Sequence, residues 1–396
     1  MVKMRYLVAL LGAVAVAAVG WRGYVYFFDT ATPCLEIIGV DQDRYYSGEM
    51  ACWLQSNKSG DVSLFLDGQL LAERFSICGK QEYPFVIPTQ TVANGKHTVS
   101  LQLIDHQYHK NKVSVAKDFF VDNVPLQVAF VRPDQSYQVL QGRTFHVQFQ
   151  TNKEIEKGVV SVLSHDYECY PESRGSLIYE AFIPISCQES PSEYLFSIQV
   201  LDKVGNAAAL HGKLQVMMFP FKKQVLQVSD EKVQQELALG EDNAHFEELL
   251  KELSAASVPE KMWKGTFCAP IDIDRITCDF GVIRTTKHKG RYSHNALDVI
   301  SAPKSVVWAS QAGTVVLKER FGFNGNTVVI DHGLGVLSLY CHLDDFANIK
   351  VGDHVAQGNP IGTLGKTGYA SGYHLHWEMR VNNIQVDPMQ WTKPTF

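Results

Sequence analysis

The chain has no dense basic stripe, no Cys-x-x-Cys pair and no helical periodicity in its last third, and each absence removes a class of function. A formal net charge of -6 over 396 residues, without a basic stripe, excludes a nucleic-acid binder. Eight cysteines with no Cys-x-x-Cys spacing leave no cysteine-built zinc site. Charged residues are only 20% against 45% hydrophobic ones, which excludes a disordered chain and points to globular domains. The length suggests roughly two to four of them.

What is present begins at the N-terminus. Lys3 and Arg5 precede an apolar run from Tyr6 to Trp21, the layout of a secretory signal or a signal-anchor. Ala13-Val14-Ala15 offers a cleavage site. Apolar character resumes after Arg22, however, and the aromatics of Gly23 to Phe28 suit a membrane interface. The expectation for 1–28 is therefore an uncleaved anchor with the bulk of the chain exported. Eight cysteines fit an oxidising compartment. Proximity in sequence suggests the pairs Cys52–Cys78, Cys169–Cys187 and Cys268–Cys278. Cys341 is expected to be a packed free thiol, facing away from its neighbour His342 on a strand.

Short strands with turn signals fill 34–122. Val62 to Leu66 lead into Asp67-Gly68, and Val99, Leu101 and Leu103 alternate with polar residues. Val121 to Pro125 reads as a junction. The style repeats over 126–218, where Phe145, Val147 and Phe149, then Phe196, Ile198 and Val200, alternate. Both segments predict β-sandwiches and resemble bacterial immunoglobulin-like domains. Over 229–256 the period changes. Phe246, Leu249, Leu250 and Leu253 mark an amphipathic helix, with Asn243 as N-cap and Glu247, Glu248 and Glu252 on the solvated face. A helical linker is expected there. From 262 to 396 glycines punctuate strands, giving a compact antiparallel β domain. The whole reads as mainly β.

Five metal-grade side chains lie in that last segment. A strand turns residues i, i+2 and i+4 to one face, so His294 shares a face with Asp298, and His374 with His376. His342 lies between them in sequence. His332 and His354 sit in glycine turns and receive no role. Glu378 shares the face of His376 and is either a partner that orients the imidazole or a solvated strand-edge residue, the second being preferred.

The order of motifs then carries a resemblance. Arg275-Ile276-Thr277 with Phe280-Gly281, His294 with Asp298, Ile330-Asp331-His332-Gly333, Tyr340-Cys341-His342-Leu343, Gly365-Lys366-Thr367-Gly368 and His374-Leu375-His376-Trp377 follow in turn. The segment from Trp263 to Trp391 resembles lysostaphin/LytM-type zinc metallopeptidases, which cut peptide cross-links of bacterial peptidoglycan. The resemblance implies Zn2+ held by His294, Asp298 and His376, with His342 and His374 as the catalytic pair. Two positions depart from the family pattern: Ala296 stands where glycine is usual, and Tyr373 where proline is common. Alanine there requires ordinary backbone.

The expected function is thus a zinc endopeptidase on peptidoglycan peptides. It would work in the periplasmic envelope, held at the inner membrane by its N-terminal segment. An envelope protein partner could bind the sandwich domains or the helix. The competing reading is a non-catalytic or self-inhibited scaffold that activates other wall hydrolases.

Overall fold

The computed structural model describes residues 2–132 and 136–394. Positions 133–135 of the second expected sandwich and 395–396 of the last segment lie outside the described residues, as do the side chains of Lys3 and Arg5. The chain is mainly β, as its alternating patterns require. It divides into two compact units, residues 1–125 with 202–206, and 126–201 with 207–396.

The first unit starts with helix α1 (Val2–Phe28), whose Leu10–Phe28 stretch is long and apolar enough to cross a membrane. It fits a signal or an anchor. A three-stranded and a five-stranded sheet follow, and they enclose one core. Ile37, Leu54, Val62, Val99, Leu101, Leu103 and Phe119 are buried there. The hairpin joining Gly60–Leu66 to Gln69–Ile77 turns at Asp67 and Gly68, both at positive φ. That geometry matches the right-handed twist of paired strands.

The second unit opens with another sandwich. Its five- and four-stranded sheets enclose Phe149, Val160, Ile183, Ile198 and Val216. Helix α2 (Asp230–Ala238) is capped by Ser229, whose side chain accepts from the Lys232 amide. Helix α3 (Gly240–Ala255) begins earlier than the sequence suggests. Asn243 therefore lies inside it and is not its cap. Glu241 and Asp242 occupy the first turn, where acidic side chains complement the helix dipole.

The last segment is built on an eight-stranded sheet. Its order is Arg275–Cys278, Leu297–Ile300, Leu375–Val381, Val336–Leu343, Gly325–Asp331, Gly313–Phe321 and His354–Val355, with Ile384–Val386 also on Leu375–Val381. Every pairing along this path is antiparallel. One face packs Val328, Ile330, Tyr340, Leu375 and Trp377 into a core. On the other face Val329, Leu337 and Leu339 pack against Phe246 and Leu250 of α3. The helix is therefore laid on the sheet by its apolar stripe. A single-turn helix α4 (Pro388–Trp391) follows the last strand, capped by Asp387 onto the Met389 amide.

All eight cysteines are free thiols, which corrects the three expected pairings. Register explains one of them. Cys278 lies opposite Asp298 on the neighbouring strand, whereas the Cys268 sulfur bonds the Ala309 carbonyl.

Candidate active site

Strand register assembles the site. Asp298 lies opposite His376, which in turn lies opposite Cys341, on three adjacent strands. Directly opposed residues share a face. Asp298 and His376 thus project together, on the face that α3 partly covers. His294 ends the neighbouring Gly290–His294 strand and approaches from the side.

The five side chains named from sequence converge. His294 Nε2 is 3.2 Å from Asp298 Oδ2, and His376 Nδ1 is 3.0 Å from Asp298 Oδ1. The two imidazoles thereby occupy separate carboxylate oxygens. The His342 ring centre lies 4.7 Å from that of His374 and 6.0 Å from that of His376.

Local backbone places His342. Simple alternation would turn it and Cys341 to opposite faces, with the thiol away from the site. The structure corrects this: Cys341 lies opposite His376 and on its face. His342 adopts φ +61, which breaks the alternation and lets the next side chain reach the site as well. A non-glycine residue in this region is strained and is held only by its surroundings. Here its amide donates to Asn324 O at 2.9 Å and its Nδ1 to Thr367 O at 2.8 Å. Thr367 is held because Gly325 and Gly368 approach closely. A Cβ on Gly368 would run into the Gly325 backbone, and both glycines have positive φ. Ala296, by contrast, is buried without positive φ, as an alanine requires.

Tautomers follow from the carbonyl partners. His374 Nδ1 donates to Gly372 O at 2.9 Å, as His342 Nδ1 does to Thr367 O. A carbonyl only accepts, so Nδ1 carries the hydrogen in both rings. Each neutral imidazole therefore presents a lone pair at Nε2. Burial, reinforced by His376 and His374, pushes His342 down to about 3, so it is neutral at physiological pH.

Glu378 is buried, not a solvated edge residue. It lies opposite Leu339, on the face that α3 covers, so its side chain faces protein. Glu378 Oε2 lies 3.5 Å from His376 Nε2. Arg380, two residues on and almost fully buried, bonds Glu378. It also makes a two-pronged pair with Glu247 of α3, at 2.8 and 3.0 Å. Glu247 was expected only on the solvated face. Burial opposes charge on His376, but Asp298 and Glu378 outweigh it and raise the imidazole to about 9. Burial likewise opposes charge on Asp298, yet His294 and His376 hold it far below the usual carboxylate range.

Sequence reasoning missed Arg380, Arg284 and Cys278. The Glu-x-Arg spacing of 378 and 380 was a usable signal, since period two puts both on one face. Arg284 Nη2 lies 3.0 Å from Cys278 Sγ and 3.7 Å from Asp298 Oδ2. Cys278, His294 and Asp298 offer donor atoms all within 4.8 Å of one another. That group omits His376, which occupies the other carboxylate oxygen. His332, placed in a glycine turn and given no role from sequence, is part of the interior. It is fully buried between Ala312 O at 2.7 Å and Ser338 Oγ at 2.8 Å.

The donor set suits a divalent cation. Two imidazoles and a carboxylate, nearly enclosed, meet at one point, and His294 Nδ1 is buried without a hydrogen-bond partner. Nitrogen and oxygen donors in this number match a catalytic metal with one position left open.

Residues 292–388, which include all five side chains, match the model of peptidase family M23. This C-terminal segment is an M23 peptidase domain. Among relatives of the M23 domain is the peptidoglycan DD-endopeptidase ShyC of Vibrio cholerae, 35% identical over 128 residues, 32% of this chain and 29% of that protein. Another is the DD-carboxypeptidase/endopeptidase Mpg of Neisseria meningitidis, 37% identical over 134 residues, 33% of this chain and 30% of that protein. The chain thus spans under a third of the length of these relatives. A solved M23 peptidase from Pseudomonas aeruginosa covers 65% of this chain and 96% of its own, at 23% identity and a TM-score of 0.45. The catalytic domain of lysostaphin from Staphylococcus simulans covers 33% of this chain and 92% of its own, at 27% identity and a TM-score of 0.24.

Proposed function

We propose that this protein is a zinc-dependent endopeptidase that hydrolyses peptide cross-links of bacterial peptidoglycan. The observation that carries the reading is the meeting of four imidazoles and one carboxylate within a single M23 domain. ShyC is called a DD-endopeptidase and Mpg a DD-carboxypeptidase/endopeptidase, and we extend the endopeptidase bond class to this chain. His294, Asp298 and His376 would hold the ion. Zinc, when bound, supplies a Lewis acid for the scissile carbonyl and a water of lowered pKa.

The remaining work falls to the chain's own groups. The Nε2 lone pairs of His342 and His374 are the acceptors for the proton of the attacking water. Once protonated, an imidazole donates to the developing oxyanion or to the leaving amine. Glu378 accepts the Nε2 hydrogen of His376 and fixes that ring, and Arg380 fixes Glu378. The loop from Lys366 to Tyr373 forms the groove rim, with Tyr369 stacked on Phe323 at 5.2 Å between ring centres.

The proposed working segments are an anchor over 1–28, sandwiches over 34–122 and 126–218, a helical segment over 229–256 and the peptidase over 262–396. The anchor would hold the enzyme at the inner membrane with its catalytic part in the periplasm.

Chelation of the purified full chain should abolish cleavage of isolated sacculi, and zinc should restore it. Retained turnover in His376→Ala would overturn the ligand assignment. Products cut only in the sugar strands would overturn the peptidase reading.

A further inference from the structure

A second cleft, of about 900 Å³, lies where the sandwich of the second unit meets Lys261, Gln390 and Lys393 of the C-terminal segment. None of the five side chains of the active site lines it, nor does the loop from Lys366 to Tyr373. Its volume is that of a ligand pocket.

Buried pairs build its walls. Glu180, whose side chain has no exposure, holds Lys261 Nζ at 2.8 Å on one oxygen and His146 Nε2 at 2.8 Å on the other. Lys261 Nζ also lies 5.2 Å from the centre of the Trp263 ring. Arg143 pairs with Asp387 at 2.8 Å. Gln390 accepts from the Thr144 amide at 2.7 Å and donates to the Thr144 carbonyl at 2.9 Å. Lys261 and Arg143 are thus fixed before any ligand arrives, with 21% and 17% of their side chains still exposed. Thr144 lines the cleft at 3% exposure, and its hydroxyl has no hydrogen-bond partner among the described residues. Such a buried group calls for one.

The charges define the ligand. Arg132, Arg143, Lys261 and Lys393 line the cleft against Glu172 and Glu180. Glu180 answers Lys261, and Asp387 answers Arg143. Two exposed cations, Arg132 and Lys393, and one exposed carboxylate, Glu172, are left for a guest. A neutral sugar would use none of these charges, and a simple anion would not use Glu172.

We propose that this cleft is a non-catalytic binding site for a short peptide carrying at least two carboxylates and a free amine, the uncross-linked peptide of the cell wall. Arg132 and Lys393 take the carboxylates and Glu172 the ammonium group. That the peptide comes from the wall rests on the function proposed above. Hydrolysis of a cross-link adds water and releases one carboxylate and one amine, so cut wall offers more of this ligand than intact wall. A peptide held here keeps the enzyme beside further cross-links and raises their effective concentration at the active site.

The test is calorimetry of the detergent-solubilised full chain, with zinc chelated so that nothing is cut and a purified uncross-linked disaccharide–tetrapeptide as the probe. The wild type and His374→Ala should bind the probe equally. Arg132→Ala combined with Lys393→Ala, both exposed and so harmless to folding, should weaken binding at least about tenfold. Glu172→Gln should weaken binding of the probe but not of its amine-acetylated form, and the disaccharide alone should not bind. The inference is overturned by no binding in the wild type, by binding untouched in the double variant or in Glu172→Gln, by equal binding of the disaccharide alone, or by loss of binding in His374→Ala. Each of those outcomes leaves the peptidase reading standing. Sacculi left uncut by the zinc-loaded wild type overturn the peptidase reading, while probe binding lost in the double variant still upholds the cleft.

Discussion

The first sandwich and the C-terminal sheet bury their strands differently. In the sandwich, the Gly95–Asp105 strand hides Val99, Leu101 and Leu103 and turns Gln102 to solvent. In the C-terminal sheet, Val336–Leu343 is buried at every position. A strand with one wet face can place polar residues there at no cost. A strand covered on both faces cannot, and each buried charge must be paired or bound. Asp298, Glu378, Arg380 and His342 are buried all the same. The sandwich core therefore speaks to stability, and the polar row in the sheet speaks to chemistry.

The sharpest way to break this comparison is to remove a member of the row. Asp298→Ala should lower turnover on sacculi on the order of 10³-fold or more and strip the zinc from the purified chain. Leu101→Ala, in the first sandwich, should leave turnover per folded molecule unchanged. Kinetics with metal analysis on both variants decide the matter. Equal losses in the two would dissolve the distinction.

Next in size is the buried arginine. Arg380→Met strands Glu378 beneath His376 and releases Glu247 of α3. Removing one partner of a buried ion pair costs about 3–5 kcal/mol. Urea denaturation followed by segment-resolved hydrogen exchange should place that loss in the C-terminal sheet and α3. Arg380→Met combined with Glu378→Met should recover part of it, because no charge is then left alone. A double variant less stable than the single one would contradict the pairing.

How much of this could be read from sequence follows the same divide. Alternation found Phe145, Val147 and Phe149, which are buried, and the i, i+3, i+4, i+7 stripe found the face of α3. The histidines and Asp298 were legible as a set of ligand-type residues, but not by period two: His294 ends Gly290–His294 while Asp298 lies in Leu297–Ile300, and His374 precedes Leu375–Val381, so strand breaks and register, not one strand's alternation, bring them together. Glu378 was misplaced because its burial depends on α3 covering that face of the sheet, where Leu339, directly opposite it, packs against Phe246 and Leu250. Cys341 was turned the wrong way because a positive φ at His342 is not written in the residue type. Cys278 was paired by proximity, whereas its real neighbours come from a strand some twenty residues away in the chain. Local pattern reads a strand's faces; register across strands, which sequence spacing does not carry, builds the site.

Leu101→Ala itself should cost about 2–5 kcal/mol, by lost transfer energy and the cavity left in a sandwich core where Leu101 has no exposure. The exchange protection of Gly60–Leu66 and Lys112–Val121, which pair with its strand, should fall with it. Protection in Leu375–Val381 should not change.

The smallest effect is one of sign. In the C-terminal sheet burial pushes His332 down to about 4, so its unfolded form, with a pKa near 6.5, binds the proton first. Stability from this group is complete above about pH 6.5 and is lost as pH falls toward 4. In the first sandwich His97 goes the other way. Burial opposes its charge, but Asp67 at 2.6 Å and the Ala93 carbonyl outweigh that and raise it. Its contribution is complete below its unfolded pKa and fades as pH rises through the folded one. Because Asp67 is half exposed, solvent screening holds this pair below about 1 kcal/mol. Segment-resolved exchange, corrected for intrinsic rates, should show the two regions drifting oppositely with pH. His332→Gln should flatten the acid-side slope in Val336–Leu343, and His97→Gln the slope near and above neutrality in Gly95–Asp105. The same direction of drift in both regions would mean that burial does not hold His332 below its unfolded value.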